Sequence, residues 1–108
     1  MNQKDQKLKE ILRELAANFF SRTSNRQSLI TVTDVELLSR GGRAEILITV
    51  LPEEMETKAV EFANRQLTDF REFVKNNSRI ARIPYFEVRI DVGEKNRQRI
   101  DQIGQTIQ

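Results

Sequence analysis

The 108-residue chain is 38% hydrophobic and 31% charged, a composition for one domain with a lean core and little room for a second. It contains neither cysteine nor histidine, which excludes disulfides, thiolate zinc sites, thiol nucleophiles and the usual general base and metal ligand. Its formal net charge of +2 does not by itself point to nucleic acid, and with one tyrosine and no tryptophan it has no wide aromatic platform for stacked bases.

In chain order, residues 4–20 read as an amphipathic helix, with Leu8, Ile11, Leu12, Leu15 and Phe19 at three- and four-residue steps and Ala16 beside them. Ser21 to Ser28 is polar and reads as a loop. Over 29–38, Ile30 and Val32 alternate with Thr31 and Thr33, and Val35 and Leu37 continue in the opposite phase. That slip predicts a strand with a β-bulge at Thr33-Asp34. Ser39-Arg40-Gly41-Gly42 supplies a hairpin turn. The second strand, Arg43 to Leu51, places Ala44, Ile46, Ile48 and Val50 on one face. Pro52 ends it and suits the first turn of a helix, whose positive end Glu53, Glu54 and Glu56 complement. The stripe Ala59, Phe62, Ala63, Leu67, Phe70, Phe73, Val74 predicts one bent helix or two over 53–76, broken by Asn76-Asn77-Ser78. Residues 85–91 alternate again, with Phe86, Val88 and Ile90 inward and Tyr85, Glu87, Arg89 and Asp91 outward. A last weak helix is expected from Glu94 to Ile103, using Ile100 and Ile103.

The economical packing is an α+β domain: a three-stranded sheet covered by helices on one face, in the order αββααβ. This is the order of the type II KH fold, although ferredoxin-like and other α+β folds give similar strings. A single domain over 1–108 is expected, with an ordered core over 4–91 and a mobile tail or short helix over 92–108. No stretch of about 18 apolar residues exists, so no membrane-spanning helix is expected. Asn2 to Asp5 are polar and offer no apolar signal region, so a cytoplasmic location is expected.

Charge is unevenly spread. From Glu53 to Glu61, Glu53, Glu54, Glu56 and Glu61 face only Lys58; from Arg65 to Arg82, the five bases Arg65, Arg71, Lys75, Arg79 and Arg82 face Asp69 and Glu72. A solvated helix face accounts for such a run unless something else raises a binding role.

A resemblance does so. Leu29 to Glu36 (LITVTDVE) resembles the first strand of the ribosome-binding factor A family, typically "VTVTDVEVS", and Arg43 to Leu51 (RAEILITVL) resembles its second, "A-x-V-Y-V-S-V". Asp69-Phe70-Arg71 through Arg79 to the run Pro84–Asp91 is similar to "R-x-x-L…R-x-x-P-x-L-x-F-x-x-D", and Arg99 to Ile103 to the closing "R-I-D-x-L". The segments span nearly the whole chain in family order. One departure stands out. Ordinary KH domains grip the nucleic-acid backbone with a GXXG loop, which this family replaces with an Ala-x-Gly helix kink; Gln66-Leu67-Thr68 occupies the matching place here, without glycine. A threonine bonding a preceding carbonyl is one way to bend the helix there.

The resemblance implies a divergent, non-enzymatic assembly factor that binds small-subunit ribosomal RNA and the immature small ribosomal subunit. It further implies support for processing of that RNA's ends and release before translation. No cofactor, no metal, no small-molecule substrate and no membrane partner are expected, and the unit is expected to be a monomer. Arg71, Lys75, Arg79 and Arg82 become candidate phosphate contacts, against solvation or pairing with Glu72. Arg22 and Arg26, in an acid-free segment, are further candidates for RNA contact or simply loop residues. Arg40 and Arg43 flank the hairpin tip and read as solvated charge; Phe62, Phe70 and Phe73 read as core; Tyr85 reads as edge packing rather than a base stack. Arg97 and Arg99, near the tail, are where the family helps contact the ribosome. The rival readings are a KH module for another RNA and a protein-interaction α+β domain.

Overall fold

The computed structural model describes residues 3–23 and 28–107, with 22–23 and 101–107 in backbone only. Helix α1 (Gln3–Thr23) leads to strands β1 (Leu29–Leu38) and β2 (Arg43–Leu51). Helices α2 (Glu56–Arg65) and α3 (Leu67–Asn77), strand β3 (Tyr85–Ile90) and helix α4 (Val92–Ile107) follow. The sheet order is β1-β2-β3; β1 runs antiparallel to β2, and β3 runs parallel to it. A parallel neighbour requires a long crossover, which α2 and α3 supply.

The β1–β2 register jumps from Val32↔Ile48 to Asp34↔Leu47, leaving Thr33 as the extra residue of a bulge. The bulge reconciles the two phases of β1, so that Ile30 and Val32 before it and Val35 and Leu37 after it all pack in the core or against it. Ala44, Ile46, Ile48 and Val50 of β2 face the same way and are buried, as is Val88 of β3. Helices α1, α2 and α3 cover this face with Leu12, Ala16, Phe19, Phe20, Ala59, Ala63, Phe70 and Val74. Phe70 is central: its ring centroid lies 4.8 Å from that of Phe86, 5.3 Å from Phe19 and 5.5 Å from Phe20.

Several local expectations need correction. Ile11 is 42% exposed and Phe20 is buried in its place, because α1 lies between β1 and α3 and turns residues 12, 16, 19 and 20 to them. Helix α1 runs through Thr23, so Ser21 to Thr23 are helical rather than loop; residues 24–27 lie outside the described residues. Pro52 is not in a helical first turn. It is extended (φ −70°, ψ 157°) and precedes a 3₁₀ turn over Glu53–Met55, after which α2 begins at Glu56. Phe62 is half-buried and stands outside the core cluster, where Val60 packs instead.

The tail is helical from Val92, two residues earlier than expected, and Ile100 is 67% exposed; the Ile103 side chain lies outside the described residues. What ties α4 to the domain is polar. Asp91 Oδ1 accepts the Glu94 amide (3.0 Å) as an N-cap, Lys95 pairs with Glu53 (2.8 Å) and Glu56 (2.9 Å), and Arg99 pairs with Glu53.

Candidate functional site

The break between α2 and α3 falls at Gln66, whose backbone sits at φ −88°, ψ 0° and whose amide donates to the Ala63 and Asn64 carbonyls. Leu67 and Thr68 already belong to α3. The break therefore rests on backbone geometry in the bridge region, without a glycine and without a capping bond from a side chain. Just before it, the Asn64 side chain reaches the edge strand. Its Nδ2 donates to the Val88 carbonyl and its Oδ1 accepts the Val88 amide, both at 3.1 Å. The break is thereby fixed against β3.

Helix α3 ends on side-chain donors: Asn77 Nδ2 donates to the Phe73 carbonyl (2.8 Å) and the Ser78 hydroxyl to that of Val74 (2.8 Å). The chain then returns to β3 through 78–84, held by Arg71. The Arg71 guanidinium donates to the carbonyls of Pro84 (2.7 Å) and Ile83 (3.1 Å) and lies over the Tyr85 ring, 5.5 Å from its centroid. Lys75, one turn further along α3, and Arg79 and Arg82, in the connection, are exposed. Among the described residues none of these four bases is in an ion pair, and Glu72 pairs with none of them. Arg22 lies in the last turn of α1 with its side chain outside the described residues, as is all of Arg26. Arg97 is paired with Glu94 (2.6 Å) and Arg99 with Glu53, so neither tail arginine is free.

Charge is thus segregated along the crossover. Glu53 and Glu56 at its start are engaged by α4: Lys95 and Arg99 lower the Glu53 pKa, the Lys95 hydrogen bond foremost, and the bonds from Glu53 and then Glu56 raise that of Lys95. Among the described residues, the bases at its end are in no ion pair.

The connection also brings Arg82 to the hairpin. The tip carries Ser39, Arg40 and Gly41 with φ of 52°, 54° and 84°. The two non-glycine residues there sit in the left-handed region that few side chains adopt. Gly42 follows at an ordinary φ of −79°, but a Cβ on it would come within 3.1 Å of Arg82 Nη2. That Cβ would also lie 3.2 Å from the Ser39 carbonyl, so a side chain here crowds the turn, whereas the end of the Arg82 side chain can shift aside. The Gly42 carbonyl accepts the Tyr85 amide (3.0 Å), so hairpin tip, connection and the start of β3 meet at one rim. Tyr85 is not packed along an edge as expected: it is 76% exposed.

The open face of the sheet, away from the helices, shows why that rim differs from its surroundings. Its end row is Leu38, Arg43, Tyr85, paired in register across the strands; the next is Glu36, Glu45, Glu87. Arg89 bridges Glu36 (3.0 Å) and Glu45, and those two contacts, the Glu45 bond above all, raise its pKa.

Among the described residues no three His, Cys, Asp or Glu side chains converge to hold a metal ion. No helix there is long and apolar enough to cross a membrane.

The three-stranded mixed sheet, backed by three helices with a broken pair as its crossover, is an α+β fold of the type II KH-like class. More particularly, it is the fold of ribosome-binding factor A. The chain superposes on the crystal structure of ribosome-binding factor A from Thermus thermophilus with a TM-score of 0.71 at 20% identity, covering 79% of this chain and 92% of that one. It also superposes on the solution structure of a Thermotoga maritima protein assigned as a candidate ribosome binding factor A, with a TM-score of 0.56 at 24% identity, covering 78% and 79%. No protein-family model matches the chain, and no curated protein matches it either.

Proposed function

We propose that the chain is a cytoplasmic ribosome assembly factor that binds the small ribosomal subunit and its RNA, supports processing of that RNA, and leaves before translation. The carrying observation is the shared fold over 92% of the Thermus thermophilus protein, whose name states that it binds ribosomes. The distribution of charge supports the reading: Lys75, Arg79 and Arg82 follow the break of the α2–α3 crossover and, among the described residues, none is in an ion pair, which leaves them available to phosphate. The factor is read as a binder rather than an enzyme: the solved structures that share its fold are named as ribosome-binding factors, and the chain lacks histidine, the most frequent general base, and the cysteine thiol nucleophile. It acts as a monomer. Asn64 occupies both backbone groups of Val88 in the edge strand β3, which blunts pairing with a second copy.

Sedimentation with purified ribosomal particles tests the proposal. The expected result is co-migration with immature small subunits and not with mature small or large ones. Binding to free RNA but to no ribosomal particle would favour a KH module for another RNA, and binding to neither would leave a protein-interaction domain.

A further inference from the structure

We propose that Tyr85 is a stacking site for one unpaired RNA base, with Arg82 placed for a flanking phosphate. This rests on the reading of the chain as an RNA-binding factor and adds a contact that lies on the open sheet face.

The ring is exposed and held. Tyr85 is 76% exposed, whereas Phe19, Phe20 and Phe70 are buried and Phe73 and Phe86 pack against the core. Burial of the Tyr85 ring does nothing for the fold. One ring face is occupied by the Arg71 guanidinium, itself fixed by the Ile83 and Pro84 carbonyls. A cation over a tyrosine face restrains the ring and leaves the opposite face to a planar partner. A base arriving there completes an arginine–tyrosine–base stack on a ring already ordered, which lowers the entropy lost on binding.

The surroundings select an RNA strand. Arg82 lies against Gly42, whose carbonyl accepts the Tyr85 amide, while Arg43, the cross-strand neighbour of Tyr85, is paired with Glu87 (3.4 Å). Arg40 stands at the hairpin tip two residues before Gly42. In the next row on this face, Glu36, Glu45 and Glu87 line up across all three strands and engage Arg89 and Arg43, so that row offers phosphate no unpaired basic side chain. A strand is therefore confined to the rim, between the hairpin tip and the 78–84 connection. With a single exposed ring at the rim, one base is stacked, and Leu38 at the far end of the row offers a small apolar surface.

The chain's only tyrosine is Tyr85, and it has no tryptophan, so tyrosine emission of the full protein reports on this site alone. The test is a titration of the protein with a short oligouridylate, with N-acetyltyrosinamide as the control for light absorbed by the RNA. The expected results are quenching beyond that control, and oligonucleotide binding about 5- to 150-fold weaker in Tyr85→Leu, the range for loss of one base–aromatic stack. Tyr85→Phe should restore affinity, and the salt dependence should be the same in all three proteins because no phosphate contact is removed. If the parent binds small subunits and RNA but Tyr85→Leu binds both as tightly, the stacking site is wrong while the RNA-binding reading stands. If the parent binds neither, both fall. If Tyr85→Leu loses subunit binding while oligouridylate leaves the emission unchanged, the rim is a protein contact and the stacking site is overturned.

Discussion

The Asn64 side chain pairs with the amide and the carbonyl of Val88 at once, imitating a neighbouring strand on the outer edge of β3. Its Nδ2 also lies 3.0 Å from the Val60 carbonyl, so one side chain joins the last turn of α2 to the sheet. Asn64→Ala leaves two partly buried backbone groups without that partner, at a cost of about 1–3 kcal/mol. Asn64→Asp keeps the acceptor but turns a carboxylate oxygen onto the Val88 and Val60 carbonyls, and should cost at least as much. Urea unfolding measures both. A loss confined to the noise in Asn64→Ala would mean that water replaces the side chain without penalty.

Phe70 is fully buried among Phe19, Phe20 and Phe86. Phe70→Ala is expected to destabilise by about 3–5 kcal/mol through lost transfer energy and the cavity left behind. The same unfolding experiment reads it, and Phe73→Ala, at a half-buried position on the same helix, should cost less.

How much of this was legible in the sequence follows from how local each feature is. The hairpin, the bulge at Thr33 and the helical stripe through Phe70 and Val74 are periodic signals, because a strand turns a side chain every two residues and a helix every 3.6. Ile11 defeats that logic: it lies on the stripe's margin, and only the position of α3 decides which margin is covered. Asn64 reads as a polar helix residue, and nothing nearby in sequence marks Val88 as its partner. Arg71 carries the charge that the basic run displays, yet its donors are turned inward onto Ile83 and Pro84, a tertiary contact that composition cannot express. The rim around Tyr85 joins residues from three separate segments, with glycine at Gly42 as its single local trace. Helix α4 is weak by apolar pattern because its attachment is ionic.

That attachment gives α4 a dependence on pH. Burial tends to raise the Asp91 pKa, but the Thr33 hydroxyl 2.6 Å from Oδ2 and the Glu94 amide on Oδ1, with Arg97 and Arg89 nearby, outweigh it and hold the pKa low. The hydroxyl also lies 3.2 Å from the Leu47 carbonyl; it has one proton, and the shorter, charged acceptor takes it. A carboxylate with a lowered folded-state pKa adds stability above its unfolded value of about 3.9, and that stability is lost as pH falls through the folded value. Asp91→Ala should therefore be less stable than the parent at neutral pH, by about 0.5–2 kcal/mol for the lost cap, with the gap closing in acid. Urea midpoints measured from neutral pH down to about 2 follow it. A gap that stays constant over that range would assign the effect to packing rather than to the carboxylate.

The unpaired bases of the crossover make the last prediction, and Arg71 has to be separated from its neighbours in it. Among the described residues, Lys75 and Arg79 are in no ion pair, so Lys75→Gln and Arg79→Gln together should change stability by no more than about 0.5 kcal/mol. If both touch phosphate, the log–log salt dependence of small-subunit binding should flatten by roughly 1.4 units on a single strand, or 1.8 on a duplex if RNA follows B-DNA. Arg71→Gln should behave differently. It removes two charged bonds to the 78–84 connection and should lower the melting temperature as well as the affinity. Replacing Glu53 or Glu56 is a poor control, because that releases Lys95 and Arg99 from α4's contacts and exposes new positive charge. Glu54, exposed and in none of those pairs, is the better one, and Glu54→Gln should leave the slope unchanged. A double variant that keeps the parent's slope would remove Lys75 and Arg79 from the RNA surface and shift the contact toward Arg82 and the hairpin rim.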